Sequence, residues 1–284
     1  MKLFITGSKG FIGHELVRQC QENGIEVIGA DRADGFDIRE KSAIDHIPQK
    51  VDAIIHLASL SSDTFCRGNE YECFDNNVMG TLNLMQAAVT RKAKQFIFAS
   101  TEWVYDNCTS EQVKTEESPI NIANHTSEYA LSKLVSEANL RQKYQQGFCP
   151  TTILRFGIVC GSVSAKKSAV ESLFLAVKDK NEIQVGSLQT GRCFIHVSDI
   201  ASGIIKSLGL DGFHIINLAG DRLITLHDII ETSKQILGRN PKIVETDPHN
   251  VSVRNISNAK AKKMLGWKPE MTVDTWLENL RSLV

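Results

Sequence analysis

"TGSKGFIG" (6–13) follows a short apolar run, "KLFIT" (2–6), and opens a stretch of helical periodicity over 11–22. Gly7 permits a tight turn, Gly10 lets the backbone approach a pyrophosphate, and Gly13 lets the helix pack close to the sheet. The helix N-terminus then presents free N–H groups to the anion. The triplet is Gly-x-x-Gly-x-x-Gly, a loose spelling of the dinucleotide fingerprint, and its force comes from standing between a strand and a helix. "IEVIGA" (25–30) reads as the next strand, and Asp31 closes it 18 positions after Gly13. A carboxylate there accepts hydrogen bonds from both adenosine ribose hydroxyls and repels a 2′-phosphate, so NAD is expected as cofactor. Arg32, beside it, is the feature that would suit NADP instead.

Outward from this point the chain keeps one rhythm. "DAIIHLA" (52–58), "QFIFAS" (95–100) and "TTILRFGIV" (151–159) read as further strands. Helices are expected near 69–90, where Tyr71, Phe74, Val78, Leu82, Met85 and Val89 recur at spacings of three and four, and near 126–146. Apolar strands alternating with helices predict an α/β fold: a doubly wound parallel sheet of the Rossmann type. Its expected extent is 1–160, with 193–219 returning to it. Residues 161–192 and 220–284 form the expected smaller, mostly helical C-terminal substrate lobe, with Thr225 and Ser257 as helix N-caps.

Bulk properties narrow the function. The 284 residues carry a formal net charge of −1 from 32 basic and 33 acidic side chains, with no long block of one sign. Neither nucleic acid nor a membrane surface is an expected partner. Cysteines 20, 66, 73, 108, 149, 160 and 193 are scattered and odd in number, which predicts reduced thiols rather than a disulfide frame. No metal-ligand spacing occurs, so no metal is expected. The opening "MKLFITGSKG" has too short an apolar run for a signal peptide, and a cytoplasmic, soluble protein is expected.

"EYALSK" (128–133) places Tyr129 and Lys133 one helical turn apart. At about 100° per residue they share a row roughly opposite the apolar stripe of Leu131, Leu134, Val135 and Ala138, off the main apolar face. Removing hydride from a secondary alcohol requires its proton to leave as well. A tyrosine can take that proton if a nearby cation lowers its pKa, and Lys133 is so placed.

Together these segments resemble the extended short-chain dehydrogenase/reductase family, in its NAD-dependent nucleotide-sugar epimerase/dehydratase branch. "TGSKGFIG" is similar to that family's Thr-Gly-x-x-Gly-Phe-Ile-Gly, which adds Phe11 and Ile12 to the cofactor loop. The resemblance implies that Asp37 and Ile38 hold the adenine, and that Leu57, Ala58 and Ser59 border the cofactor at the end of the third strand. It extends to Asn77 in "NNVMGTLNLMQAA" (76–88), Ser100 and the catalytic hydroxyl Thr101 in "STEWVY" (100–105), and Tyr129 and Lys133. Arg192 and Arg254 match positions that contact substrate phosphates. Ser61 in "SLSSD" (59–63) is expected beside the sugar, as is Glu102.

Departures matter too. Glu102 and Trp103 stand where the 4,6-dehydratases have Asp-Glu, and tryptophan cannot remove a carbon-bound proton, which argues against that subclass. Ile158 replaces a phosphate-contacting asparagine, and Cys160-Gly161-Ser162 replaces Tyr-Gly-Pro; Lys166 and Lys167 are either compensating or solvated charges. The expected activity is an NAD-dependent nucleotide-sugar 4-epimerase acting through a 4-keto sugar. Two alternatives stay open: a nucleotide-sugar or free-sugar reductase/dehydrogenase, and a non-catalytic dinucleotide sensor. The expected partners are a nucleotide-diphosphate sugar and, by resemblance, a second copy of the chain paired through the helices near 69–90 and 126–146.

Overall fold

The computed structural model describes residues 1–161 and 167–283, so Ser162 and Lys166 lie outside the described residues. The chain divides into two compact units. The first comprises Met1–Asp106, Pro119–Arg155 and Ala201–Ile216. The second comprises Asn107–Ser118, Phe156–Ile200 and Asn217–Val284.

A six-stranded sheet is built from β1 (Lys2–Thr6), β2 (Glu26–Ala30), β3 (Ala53–His56), β4 (Phe96–Thr101), β5 (Thr151–Phe156) and β6 (Phe213–Leu218). Their spatial order is β6-β5-β4-β3-β1-β2, and β2, β1, β3 and β4 run parallel. Every residue of β3, β4 and β5 is buried, which is why those strands read as unbroken apolar runs. After β2 the chain crosses back over β1 to lay down β3. The ends of β1 and β3, with Thr6 opposite His56, are therefore the switch point where such sheets take ligands.

One face of the sheet is covered by α2 (Gly80–Arg91), whose Leu84, Met85, Ala87 and Ala88 pack with Phe4, Ile54, Phe96 and Phe98. The helix expected over 69–90 begins as Glu70–Phe74 and passes through a π turn, Asp75–Met79, before α2. The i→i+5 turn inserts a residue and slips the apolar face by about 100°. Val78 and Met85 are thus buried while Tyr71 is 86% and Val89 49% exposed, and the same turn carries Asn76 and Asn77 inward.

Helix α3 (Glu128–Gln145) corrects the amphipathic reading. Its buried residues are Tyr129, Ala130, Ser132, Lys133, Ser136, Glu137 and Leu140. The apolar stripe faces outward: Leu131, Leu134 and Val135 are half-buried and Ala138 is exposed. The helix packs through its polar row because that row finds partners on the sheet, described below. Ser127 caps it, its hydroxyl accepting from the Ala130 N–H at 3.2 Å.

The expectation of wholly reduced thiols is also corrected. The short helices Asp63–Cys66 and Glu70–Phe74 fold back on each other and bring the Cα atoms of Cys66 and Cys73 to 5.1 Å, where the two form a disulfide. Both cysteines pack with Leu60 against Tyr129.

In the second unit the helices Ala169–Asp179, Leu226–Leu237, Ala259–Leu265 and Val273–Leu283 are accompanied by three small sheets. Ser168–Glu171 and Thr225–Asp228 form reciprocal capping boxes, so Thr225 caps as expected. Asn258 holds the position before Ala259–Leu265 but makes no side-chain cap; the Ser257 hydroxyl accepts from the Ala259 N–H at 3.2 Å. Phe174, Ile229, Ile230, Trp276 and Leu277 form its core. The strand expected over 151–159 ends at Phe156; a Cβ on Gly157 would lie 2.4 Å from the Cys193 carbonyl, so the chain turns there before Val159–Cys160 pairs with Ile195–His196.

No helix among the described residues is long and apolar enough to cross a membrane. The inverted α3 makes a direct expectation. Ser136→Leu, on the inner row, should cost about 2 kcal/mol of stability through overpacking, whereas Ala138→Gln on the outer face should stay within about 0.5 kcal/mol. Urea denaturation of both variants checks this, and equal costs would contradict the orientation.

Candidate active site

The glycine loop is folded tightly on itself. Gly7 has φ +72°, and a Cβ there would stand 2.8 Å from the Ala58 nitrogen. A Cβ on Gly13 would stand 2.0 Å from the Gly7 carbonyl oxygen, so only glycine fits at either place. Helix α1 (Phe11–Glu22) starts after Gly10 with no side chain capping it and no acid in its first turn. Its leading N–H groups, with Phe11 and Ile12 half-buried beside them, suit an anion. Asp31 lies at the rim of the loop: one carboxylate oxygen accepts from the Lys9 N–H and the other from the Ala33 N–H, both at 3.0 Å. Arg32 is exposed. Asp37 is gripped by Arg39, with a shortest contact of 2.5 Å, which holds its carboxyl below the usual range. Ile38 is buried where a Cβ on Gly80 would come within 2.6 Å of it. The uncapped helix start, the glycines of the loop and the rim carboxylate together fit a dinucleotide.

Beneath the loop runs a buried polar chain. The Ala58 N–H donates to Thr6 Oγ1 (3.4 Å), and Thr6 pairs with His56 Nδ1 (2.9 Å). His56 Nε2 pairs with Thr81 Oγ1 (3.0 Å), whose hydroxyl donates to the Asn77 carbonyl (2.6 Å). Because Thr81 gives its proton to Asn77, His56 must donate from Nε2 and accept at Nδ1. Burial, aided by the charge of Lys133, pushes His56 down to about 3, so it is neutral. The Asn77 amide clasps both backbone groups of Leu60, at 2.8 and 3.1 Å, and donates to Ser132 Oγ at 3.0 Å. Asn77 thus fixes the segment holding Leu57, Ala58 and Ser59, all half-buried, while Ser61 beyond it is exposed.

Thr101 ends β4 and caps the following 3-10 turn, Glu102–Val104, accepting from the Trp103 N–H at 3.2 Å. Lys133 Nζ donates to the Ala99 carbonyl at 2.9 Å and sits 4.8 Å over the Phe98 ring and 5.9 Å over that of Tyr129. Burial pushes the Tyr129 phenol up to about 12, with the nearby Thr101 side chain acting against it. The same burial pulls Lys133 down to about 7, opposed by Glu137. The expected depression of the tyrosine by its lysine neighbour is therefore corrected: desolvation dominates and raises the phenol instead. Glu102 is fully buried.

Sequence reasoning passed over a third member of the row. Glu137 Oε1 accepts from Ser100 Oγ at 2.5 Å and Arg155 Nε at 3.0 Å, and Oε2 accepts from Arg155 Nη2 at 2.6 Å. Arg155 Nη1 donates to the Tyr105 hydroxyl at 2.9 Å. Its position four residues after Lys133 was the available signal.

Arg192 and Arg254 belong to the second unit, where they face each other in register on the parallel strands Gly191–Arg192 and Val253–Arg254. The Arg192 guanidinium is buried and donates to the carbonyls of Gly191 (2.8 Å) and Ser252 (2.6 Å) and to Ser252 Oγ (2.9 Å). Arg254 is half-buried, Ile158 packs against the core of that unit, and Lys167 is exposed. Among the described residues no group of three or more His, Cys, Asp or Glu side chains is placed to hold a metal ion.

Residues 3–219 match the profile of the NAD dependent epimerase/dehydratase family. Among similar proteins, the UDP-glucuronate 4-epimerase of Thermodesulfobacterium geofontis is 25% identical, over 96% of this chain and 93% of its own. UDP-glucuronic acid decarboxylase 5 of Arabidopsis thaliana is 29% identical, over 95% and 85% respectively. In three dimensions the chain resembles the UDP-glucose 4-epimerase of Thermus thermophilus in complex with NAD, with a TM-score of 0.85, 22% identity and both chains covered in full. The chain belongs to the NAD-dependent epimerase/dehydratase family and is an enzyme of the extended short-chain dehydrogenase type.

The buried His56 links stability to pH. Its proton affinity is lower folded than unfolded, so unfolding takes up a proton between its ordinary 6.5 and about 3, and stability falls as pH drops through that window. His56→Gln, which stays polar but cannot titrate, should lose less stability than the parent between pH 7 and pH 4. Urea midpoints at the two pH values check this; equal losses would contradict it.

Proposed function

We propose that this enzyme is a nucleotide-sugar 4-epimerase acting on a UDP-sugar with NAD as a tightly held cofactor. The observation that carries the reading is the buried set of Thr101, at the end of β4, and Tyr129 and Lys133, on α3, in the same unit as the glycine loop. The α1 N-terminus would hold the pyrophosphate and Asp31 the adenosine ribose. When bound, NAD accepts a hydride from the sugar carbon and returns it to the opposite face.

The chain's own residues handle the proton. Thr101 holds the reacting oxygen near Tyr129, which acts as the phenolate: it takes the C4 hydroxyl proton as the carbonyl forms, becoming the phenol, and gives that proton back on return. Lys133, anchored on the Ala99 carbonyl, supplies the positive charge that a phenolate in a buried site requires. Relatives named for UDP-glucuronate chemistry support a UDP-sugar as substrate.

The decarboxylase relatives favour a second reading, in which C4 oxidation serves loss of CO2. Incubation with UDP-glucuronate or UDP-glucose, without added cofactor, separates the outcomes by product NMR. The C4 epimer supports our reading. Released CO2 selects decarboxylation, and accumulation of reduced cofactor selects a net dehydrogenase. Tyr129→Phe should bind NAD normally yet turn over about 100- to 10,000-fold more slowly. Retained activity would sink the proton-transfer role.

A homodimer is part of the same proposal. The outward apolar stripe of α3 neighbours the 70–91 segment, where Tyr71, Met79 and Val89 are 86%, 50% and 49% exposed. A second copy is the occupant such a face suits. Sedimentation equilibrium should show a dimer that Leu134→Lys splits; a parent that sediments as a monomer would refute the pairing.

A further inference from the structure

Two successive residues of β4 are each held by one member of the buried row of α3. The Ala99 carbonyl accepts from Lys133 Nζ at 2.9 Å, and Ser100 Oγ donates to Glu137 Oε1 at 2.5 Å. Thr101 follows as the last residue of β4. The Ser100 contact therefore sits between the Lys133 anchor and Thr101, which carry the proposed chemistry. Glu137 is 6% exposed and Arg155 3%, so their contact is a buried ion pair rather than a solvated one.

We propose that Glu137 is a positioning residue of the active site: it fixes the end of β4 through Ser100 and supplies the negative charge that keeps the buried Lys133 ammonium protonated. The inference rests on the reading of Lys133 as the partner of Tyr129.

The charged and titratable surroundings support this. On α3 the row holds Tyr129, Lys133 and Glu137, and Arg141 beyond them lies 4.5 Å over the Phe213 ring. From β5 comes Arg155, and from the turn after β4 come Glu102 and Tyr105, the latter bonded to Arg155 Nη1 at 2.9 Å. From β3 comes His56, held neutral by burial. Burial draws Lys133 down to about 7, and the charge acting against that fall is Glu137. Arginine cannot release its proton in a protein, whereas lysine can. If Glu137 loses its charge, the buried Lys133 loses the anion one turn along its helix and deprotonates more readily.

Lysine labelled with 13C at Cε lets the ionisation of Lys133 be followed by NMR in the protein itself, with the signal assigned by its absence from Lys133→Met. In Glu137→Gln the Lys133 midpoint should fall by at least one pH unit, a tenfold loss of proton affinity. In Glu137→Asp, which keeps the charge, it should move by less than half that. Should the unpaired guanidinium prevent Glu137→Gln from folding, Glu137→Gln/Arg155→Met removes both charges, and the midpoint should still fall. Ser100→Ala should leave the Lys133 titration in place but lower kcat with little change in KM. An unchanged midpoint in whichever Glu137→Gln variant folds would overturn the proposal, as would full activity of Ser100→Ala. The titration needs no substrate, so a failed search for sugar turnover would count against the proposed reaction and leave this test intact.

Discussion

The hydrogen bond from the Lys133 ammonium to the Ala99 carbonyl is the contact around which the first unit is arranged. An ammonium stripped of water is tolerated only where a fixed acceptor and an anion replace its solvent. Both are present, and supplying them dictates much else. Helix α3 must lie with its polar row inward, β4 must end at the level of that row, and β5 must deliver Arg155 to share Glu137. Lys133, Glu137, Ser100 and Arg155 answer one another, so the register of helix and strand is set by chemistry rather than by shape alone.

The same logic governs the switch point. The glycine loop leans on Ala58, Ala58 leans on Thr6, and the sequence Thr6, His56, Thr81, Asn77 carries the alignment to Ser132 on α3. The loop that suits a dinucleotide and the helix that bears Tyr129 are thus joined by directional bonds through the interior. A neutral imidazole is the only ionisable group in that chain, and its fixed tautomer makes the direction of the bonds single-valued.

Much of this was legible in the residues. Strands buried on both faces read as apolar runs, and the glycine spacing exposes its own reason because any side chain would collide. Tyr129 and Lys133 were visible from their spacing. Other features were not legible, for identifiable reasons. Amphipathic periodicity assumes that the apolar stripe is the packing face, and α3 reverses that relation. The π turn at Asp75–Met79 breaks the phase on which the helix at 69–90 was read. Glu137 and Arg155 meet across a helix and a strand, and Cys66 reaches Cys73 only because two very short helices fold back. Nor could residue type reveal that the Arg192 guanidinium is engaged by the backbone carbonyls of Gly191 and Ser252.

The reversal in α3 also changes how the segment would tolerate variation. In most surface helices a mutational library can be steered by hydropathy, with greasy positions frozen and hydrophilic ones randomised. Applied here, that recipe would freeze Leu131, Leu134 and Val135 and scramble Ser132, Ser136 and Glu137, the side chains on which the interior wiring depends. A useful screen of this helix would run the other way.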